Sequence, residues 1–519
     1  MAVWAAIYLV CLGRTEFKGE EGRRVFPALR MLQNGNWLVP ELAGMAYSSK
    51  PPMINWLVAS SFLLTGERSE FSARLPSVIS LLALVSLIIW MPSAWLSVRA
   101  RFLAALVFLT NIGLMEKGRQ IELEALYLSL TGLAVVWWLG FWSRRGSRWG
   151  LWIMPGLFMG MGLLTKGPIC VLCFYAVAIG VLTQERRLRE LLHPAHWLGI
   201  ALMAVLSLGW IYLARQQASH DAVLERATSE VWYRLSLRDL DFGQWAREFP
   251  SALVKFLPWL IFIPMLWMKR VVGLIPAERL AIFKGCRWGM VVPFVLVLLI
   301  PHTMARYTFP VFPVASLLLG YVLSLPLGPV QGAAIWRRVL LAGIPAAAGA
   351  GALGLILVTH EPWVWVAVAA SIAAACGLLK SRGSWTAETP NLVLALGLLI
   401  ALWGLQFAVF GTTIISARQD RRSLGREIAQ AVPAGNDLYA YNLGFQGYLF
   451  YVTTPVRYLQ QPEQITPAVH YLLVRDSDWA RLESQPVLAQ RPAEALYQYE
   501  FSNKGKFRVV HLGSKTNQR

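Results

Sequence analysis

The stretch GEEGRRVFPALRMLQNGNWLVPELAGMAYSSKPPMINWLVASSFLLTG, Gly19 to Gly66, decides how this chain is read. A short apolar segment, Ala2 to Gly13, precedes it, and a long one, Leu75 to Leu96, follows. Two adjacent carboxylates (Glu20, Glu21), a pair of arginines (Arg23, Arg24) and Lys50-Pro51-Pro52 are therefore set among segments of membrane-spanning character. Ionisable groups are costly in such places and usually serve function.

Outward from this stretch, the apolar pattern recurs. Of 519 residues, 56% are hydrophobic and 15% charged, and the mean hydropathy is +0.49. Apolar runs bounded by Arg, Lys, Pro or Gly fill the first four-fifths, which excludes one signal peptide ahead of a soluble enzyme. The runs predict about thirteen spans, near 2–13, 76–98, 102–114, 121–142, 150–165, 168–184, 195–213, 251–268, 287–300, 305–325, 335–358, 362–379 and 391–411. Several fall short of the ~20 residues a bilayer needs, so either their bounds lie elsewhere or those helices end inside the protein beside a cavity. The first is short because the chain begins almost inside it, and a start codon further upstream would lengthen it.

The net charge of +19 sits in loops between spans, which argues against a nucleic-acid partner and suits anionic lipid headgroups. Loops near 99–101, 144–148, 186–189, 269–287, 337–338 and 380–382 hold about seventeen Lys and Arg, against about four near 117–119, 166, 302–306 and 359–361. The first set is expected in the cytoplasm, with the N-terminus. Loops 14–75 and 214–250 and the tail after 411 then face outside. Aromatic and basic residues at helical spacing in 18–34, 54–66 and 214–250 predict amphipathic helices on the outer membrane surface.

Two domains are expected: a transmembrane part, 1–415, and a C-terminal α/β domain, 416–519. In the latter Ser423 to Ala431 has helical period, Asp437 to Tyr441 and Ala468 to Val474 read as strands, and Phe445 to Val452 is ambiguous. The five cysteines, Cys11, Cys170, Cys173, Cys286 and Cys376, lie in or beside apolar spans. That argues for inert core thiols rather than a disulfide framework.

The quoted stretch resembles the first external loop of the bacterial aminoarabinose (lipid A) transferases, relatives of the dolichyl-phosphate-mannose protein mannosyltransferases in the C-type glycosyltransferase (GT-C) superfamily. The resemblance rests on five elements in order: Glu20-Glu21 with Arg23 or Arg24, Gly35-Asn36-Trp37, Pro40 to Gly44, Lys50-Pro51-Pro52 and Arg74 to Ser77. Gly118-Arg119 with Glu124, Leu164 to Pro168, Pro258-Trp259, and Arg306-Tyr307 with Pro310 and Pro313 continue it downstream. Glu20 and Glu124 stand where the family usually has Asp, and Ser49 where it often has Glu or another polar group.

The resemblance implies a polytopic inner-membrane enzyme with its site facing the periplasm. It would move a sugar from a polyprenyl (undecaprenyl) phosphate to lipid A, another glycolipid or a protein. Breaking a glycosyl–phosphate bond leaves negative charge on the phosphate, which cations stabilise, and a hydroxyl acceptor needs a base. Lys50, Arg119, Lys166 and Arg306 with Tyr307 are the expected phosphate holders. Glu20, Glu21 and Glu124 are the expected catalytic acids, with Glu20 as base and Glu21 orienting the acceptor or binding metal. Arg23 and Arg24 are expected to face the acceptor or lipid headgroups. Direct displacement predicts inversion at the anomeric carbon. A divalent ion could sit between acids and phosphate, although no ligand spacing marks a metal site.

Plainer roles stand beside these. Glu20 and Glu21 could favour a helix N-terminus, Lys50 could snorkel, and Tyr307 could be an interfacial aromatic. Lys166 interrupts an apolar stretch with no acid adjacent in sequence. Glu122 and Glu124, two apart, should point to different helix faces, so one at most is expected in a cavity. The alternative function is a transporter or flippase for a lipid-linked sugar. Against it, no internal repeat is evident and the charges cluster at one surface rather than mid-span.

Overall fold

The computed structural model describes residues 1–47, 49–217, 232–234, 236–238, 240–326, 369, 373, 389–485, 488, 491–500 and 505–513. Two of the expected spans, 335–358 and 362–379, lie outside the described residues. The chain groups into two compact units: Met1–Arg14 with Ser48–Ile415, and Thr15–Tyr47 with Ser416–Arg519.

The first unit is helical. Six helices among the described residues are long and apolar enough to cross a membrane: Glu70–Trp90, Leu123–Ser143, Pro194–Gln217, Ala277–Leu299, Ala305–Leu323 and Pro390–Ala417. A seventh forms if Phe242–Val254 and Trp259–Trp267, bent by 88°, are counted together. Polar side chains start several helices where the backbone N–H groups would otherwise be orphaned: Ser69 accepts from Ser72 N–H, Ser97 from Ala100 N–H, and Asn111 from Leu114 N–H. Close packing depends on missing side chains. A Cβ on Gly285 would lie 2.4 Å from Val181 Cα, and one on Gly156 would lie 2.4 Å from the Gly199 carbonyl oxygen. Small residues let apolar helices approach this closely.

Two short helices, Arg148–Leu163 and Ile169–Gln184, flank a turn that carries Lys166. Both are shorter than a bilayer is thick because the chain turns at a polar cluster. There the turn's backbone is satisfied by protein: Tyr127 Oη donates to the Gly167 carbonyl at 2.6 Å and accepts the Cys170 N–H at 2.7 Å. Irregular backbone among apolar helices is tolerated where such partners exist. The helix Met53–Thr65 forms close to where 54–66 was expected. It differs from a surface-lying helix, however, since Met53, Ile54, Val58, Ala59 and Phe62 are all buried and it packs on Glu70–Trp90. Of the 214–250 loop, Phe242–Val254 is helical, capped by Asp241, and residues 218–231 lie outside the described residues.

The second unit is α/β. Its five-stranded sheet has the order β4-β3-β5-β7-β6, from β3 (Leu438–Tyr441), β4 (Val456–Leu459), β5 (Tyr471–Arg475), β6 (Ala493–Glu500) and β7 (Lys506–Leu512). The β3 strand is parallel to β4 and β5, whereas β7 runs antiparallel to both β5 and β6. Leu424 and Ile428 of the helix Arg421–Gln430 pack with Leu438, Leu473 and Val509 on one face, and Trp479 and Leu482 pack with Leu472 and Val510 on the other. The ambiguous 445–452 stretch forms a 3-10 helix over Gly447–Tyr451.

The N-terminal part of this unit is the charged stretch itself. A helix, Gly22–Asn34, is closed by Gly35 in the left-handed region. A two-stranded hairpin follows, β1 (Glu41–Leu42) with β2 (Met45–Ala46). Its turn residues Ala43 and Gly44 both have positive φ, as a two-residue primed hairpin turn requires. The Glu16 carboxylate accepts the N–H groups of Arg421 and Arg422 at 3.0 and 2.9 Å, so residues far apart in sequence build one unit.

Candidate functional site

In the helical unit, a buried charge cluster gathers residues from four parts of the chain. Lys166, on the turn between two short helices, donates to Glu124 Oε1 at 2.7 Å. The two side chains are only 8% and 4% exposed. Glu124 sits in the first turn of Leu123–Ser143, where a carboxylate also meets the positive end of the helix dipole. Arg306 lies 3.4 Å from Glu124 and 3.6 Å from Glu122, and Lys117 donates to Glu122 at 2.9 Å. The Tyr307 ring lies 4.4 Å from Lys166 Nζ and 4.9 Å from the Arg234 guanidinium carbon.

Glu122 and Glu124 thus share one site, contrary to the expectation from helical spacing. Glu122 is the residue before the helix, in extended conformation with φ −102° and ψ 159°. Two residues apart in extended chain share a side, whereas in a helix they diverge. Lys166 has its acid after all, 42 residues away in sequence.

The electrostatics follow from burial and crowding. Burial pushes the Lys166 ammonium down to about 8; Glu124 opposes this, while Arg306 and Lys50 add to it. Lys50 is therefore within electrostatic reach of the cluster, and the Met53 N–H, three residues on, bonds the Leu164 carbonyl at 3.1 Å. Burial raises the Glu122 carboxyl, helped by the charge on Glu124 and opposed by Lys117 and Arg306. Arg306 Nε and Glu122 Oε2 are buried and make no hydrogen bond; Arg306 meets both carboxylates at ion-pair distance only.

The other expected residues are placed elsewhere. Arg119 donates to the carbonyls of Ile7 and Val10 at 2.5 and 2.7 Å, and burial lowers its guanidinium to about 10, with Arg74 adding. It ties down the end of the first helix, which stops at Leu9. In the α/β unit, Glu20 is 36% exposed and pairs with Arg23 at 3.2 Å and Arg24 at 4.0 Å. Glu21 is fully buried and accepts the Lys18 N–H at 3.0 Å. Arg24 is buried and donates to Tyr47 Oη at 3.0 Å. Among the described residues no three His, Cys, Asp or Glu side chains converge as a metal cage; Glu122 and Glu124 are the nearest to one, and both face cations. Lys117 and Tyr127 belong to the cluster and are absent from the sequence-based set, although Lys117 lies only five residues before Glu122.

An apolar groove of about 140 Å³ adjoins the segment that carries Arg306 and Tyr307. Phe256, Trp267, Met290, Phe294, Val311 and Phe312 line it, and Val311 ends the same 3-10 segment, Ala305–Val311.

Residues 49–212 match the family model for dolichyl-phosphate-mannose-protein mannosyltransferases. Two undecaprenyl phosphate-α-4-amino-4-deoxy-L-arabinose arabinosyl transferases are similar in sequence. The Yersinia enterocolitica protein is 26% identical over 49% of this chain and 48% of the relative, and the Pectobacterium atrosepticum protein 28% over 69% and 65%. The chain thus spans about half to two thirds of the length of these relatives. The crystal structure of apo ArnT from Cupriavidus metallidurans matches with a TM-score of 0.73 at 18% identity, covering 98% of this chain and 95% of that one. The undecaprenyl phosphate-bound form matches at 0.71 and 19%, over 98% and 96%. The chain has the fold of ArnT, and its resemblance to the aminoarabinose transferases extends from motif to aligned sequence and to fold.

Proposed function

We propose that this chain is a membrane glycosyltransferase that moves a sugar from undecaprenyl phosphate to an acceptor outside the cytoplasm, such as lipid A, another glycolipid or a protein. The observation that carries the proposal is the buried cluster of Lys166, Arg306 and Glu124, with Lys50 in electrostatic reach. It stands in a fold shared with a protein solved with undecaprenyl phosphate. A transporter would need no fixed cations where a phosphate leaves; a transferase does, because charge develops there as the bond breaks.

In this reading Lys166, Arg306 and Lys50 hold the donor phosphate, Tyr307 stacks on Lys166, and the prenyl chain runs along the apolar groove beside Val311. The acceptor oxygen attacks the anomeric carbon as the carbon–oxygen bond to phosphate breaks, and the electron pair leaves on the phosphate. Configuration inverts. A hydroxyl acceptor gives its proton to Glu20, the more exposed acid of the pair, whereas a phosphate acceptor is already ionised and needs no base. Glu124 holds Lys166 and Arg306 in place, and Arg119 secures the first helix rather than the phosphate. Glu21 supports the turn at Lys18, Arg24 is tied to Tyr47, and the more exposed Arg23 serves the acceptor side. The site faces the periplasm of the inner membrane, the N-terminus lies inside, and residues 416–519 form an external domain.

The test of acceptor and reaction together is mass spectrometry of lipid A from a deletion strain. Loss of one sugar mass, restored by the wild-type gene and not by a Lys166→Met gene, supports the proposal. Unchanged lipid A overturns lipid A as acceptor.

A further inference from the structure

We infer that this protein carries a second anion site, for the phosphate headgroup of an anionic phospholipid, at the end of the helices Arg148–Leu163 and Ile169–Gln184 away from Lys166. The first helix is 16 residues long, which separates the two sites by about 24 Å at 1.5 Å per residue. There the chain forms a cavity of about 720 Å³ lined by Arg148, Arg186, Arg187, Arg189 and His193, with Glu190 as the one carboxylate in the lining.

The cavity is pre-organised. Glu190 is buried and accepts from Arg148 at 3.0 Å and Arg187 at 2.8 Å. Arg187 is held a second time, its guanidinium 4.7 Å from the Trp142 ring. One carboxylate thus fixes two guanidiniums, whereas Arg186 and Arg189 line the same cavity with no carboxylate within ion-pair distance among the described residues. The excess of positive charge and the planar donors suit a phosphate.

The surroundings favour a lipid over a soluble anion. Leu188 and Leu192 line the same cavity and are 46% and 70% exposed, and Trp149 and Trp197 nearby are also exposed. Exposed leucines with interfacial tryptophans beside basic side chains match the border between acyl chains and headgroups. Nothing in the proposed transfer reaction uses these residues.

The test is native mass spectrometry and thermal shift on the purified full-length protein with phosphatidylglycerol, phosphatidylcholine or inorganic phosphate. The variant is Arg186→Gln/Arg189→Gln, two exposed positions whose loss leaves the Glu190 pairs intact. The expected result is retention of phosphatidylglycerol over phosphatidylcholine, weakened roughly 30-fold in the double variant, since each basic residue near anionic lipid contributes about five-fold. An equal thermal shift with inorganic phosphate would overturn the lipid and leave a soluble anion. Equal retention of both lipids, or a preference unchanged in the double variant, would overturn the site.

Discussion

Lys166 Nζ lies 2.7 Å from Glu124 Oε1, with both side chains almost fully buried. Each is the other's charge partner, and Arg306 completes the set. Replacing Lys166 with Met removes an ammonium that burial disfavours and leaves Glu124 paired with Arg306, so no buried charge is stranded without a partner. Lys166→Met is therefore expected to shift the thermal midpoint little and to reduce transfer by roughly 10²-fold or more, the range for loss of one transition-state charge partner. Lys166→Arg should keep more stability than activity. A differential scan beside a transfer assay separates the two.

The lowered Lys166 ammonium gives two pH effects of opposite sign. Phosphate holding needs the charged form, so transfer should fall as pH rises through about 8. In the unfolded chain the ammonium titrates near its ordinary 10.5, so between about 8 and 10.5 the unfolded state binds more protons. This group's contribution to stability therefore rises with pH over that window. A pH–rate profile and a pH–melting profile moving in opposite directions across it would bear this out; a flat rate profile would argue against Lys166 as a phosphate holder.

The two acids of the opening stretch should part company. Glu21 is fully buried against the Lys18 N–H, and Glu21→Ala should cost about 1–3 kcal/mol through an unsatisfied donor and lost packing. Glu20→Gln, at a more exposed position paired with Arg23, should leave melting unchanged. It should lower transfer to a hydroxyl acceptor by roughly 10²-fold while sparing a phosphate acceptor. Equal melting of both variants would contradict the assignment.

Gly285→Ala tests the helix packing independently of the chemistry. Its Cβ would lie 2.4 Å from Val181 Cα, against backbone rather than a flexible side chain. Overpacking of this kind costs about 1–3 kcal/mol, visible as a lower melting temperature with the phosphate affinity of the remaining folded protein unchanged.

The membrane class, the helical periods and the α/β character of the tail were legible because each depends on local pattern. Glu124, Lys166 and Arg306 stand in the quoted motifs, but their pairing does not show there, since Lys166 and Glu124 are 42 residues apart and nothing local links them. Glu122 departs from the helical expectation because it lies in extended chain one residue before the helix begins. Arg119 carried the motif's cation but not its position, because the carbonyls that take it belong to Ile7 and Val10 at the other end of the sequence. The grouping of Thr15–Tyr47 with the C-terminal residues was hidden for the same reason: Glu16 meets Arg421 and Arg422 across some 400 residues.

The most direct measurement of the central claim is sugar transfer by purified protein in liposomes, with aminoarabinose-linked undecaprenyl phosphate as donor and lipid A as acceptor. The product is read by mass spectrometry for wild type and Lys166→Met. The account predicts a glycosylated acceptor with wild type and its near-complete loss in the variant. Donor lipid moved across the bilayer with no sugar transferred, or transfer undiminished in Lys166→Met, would contradict it.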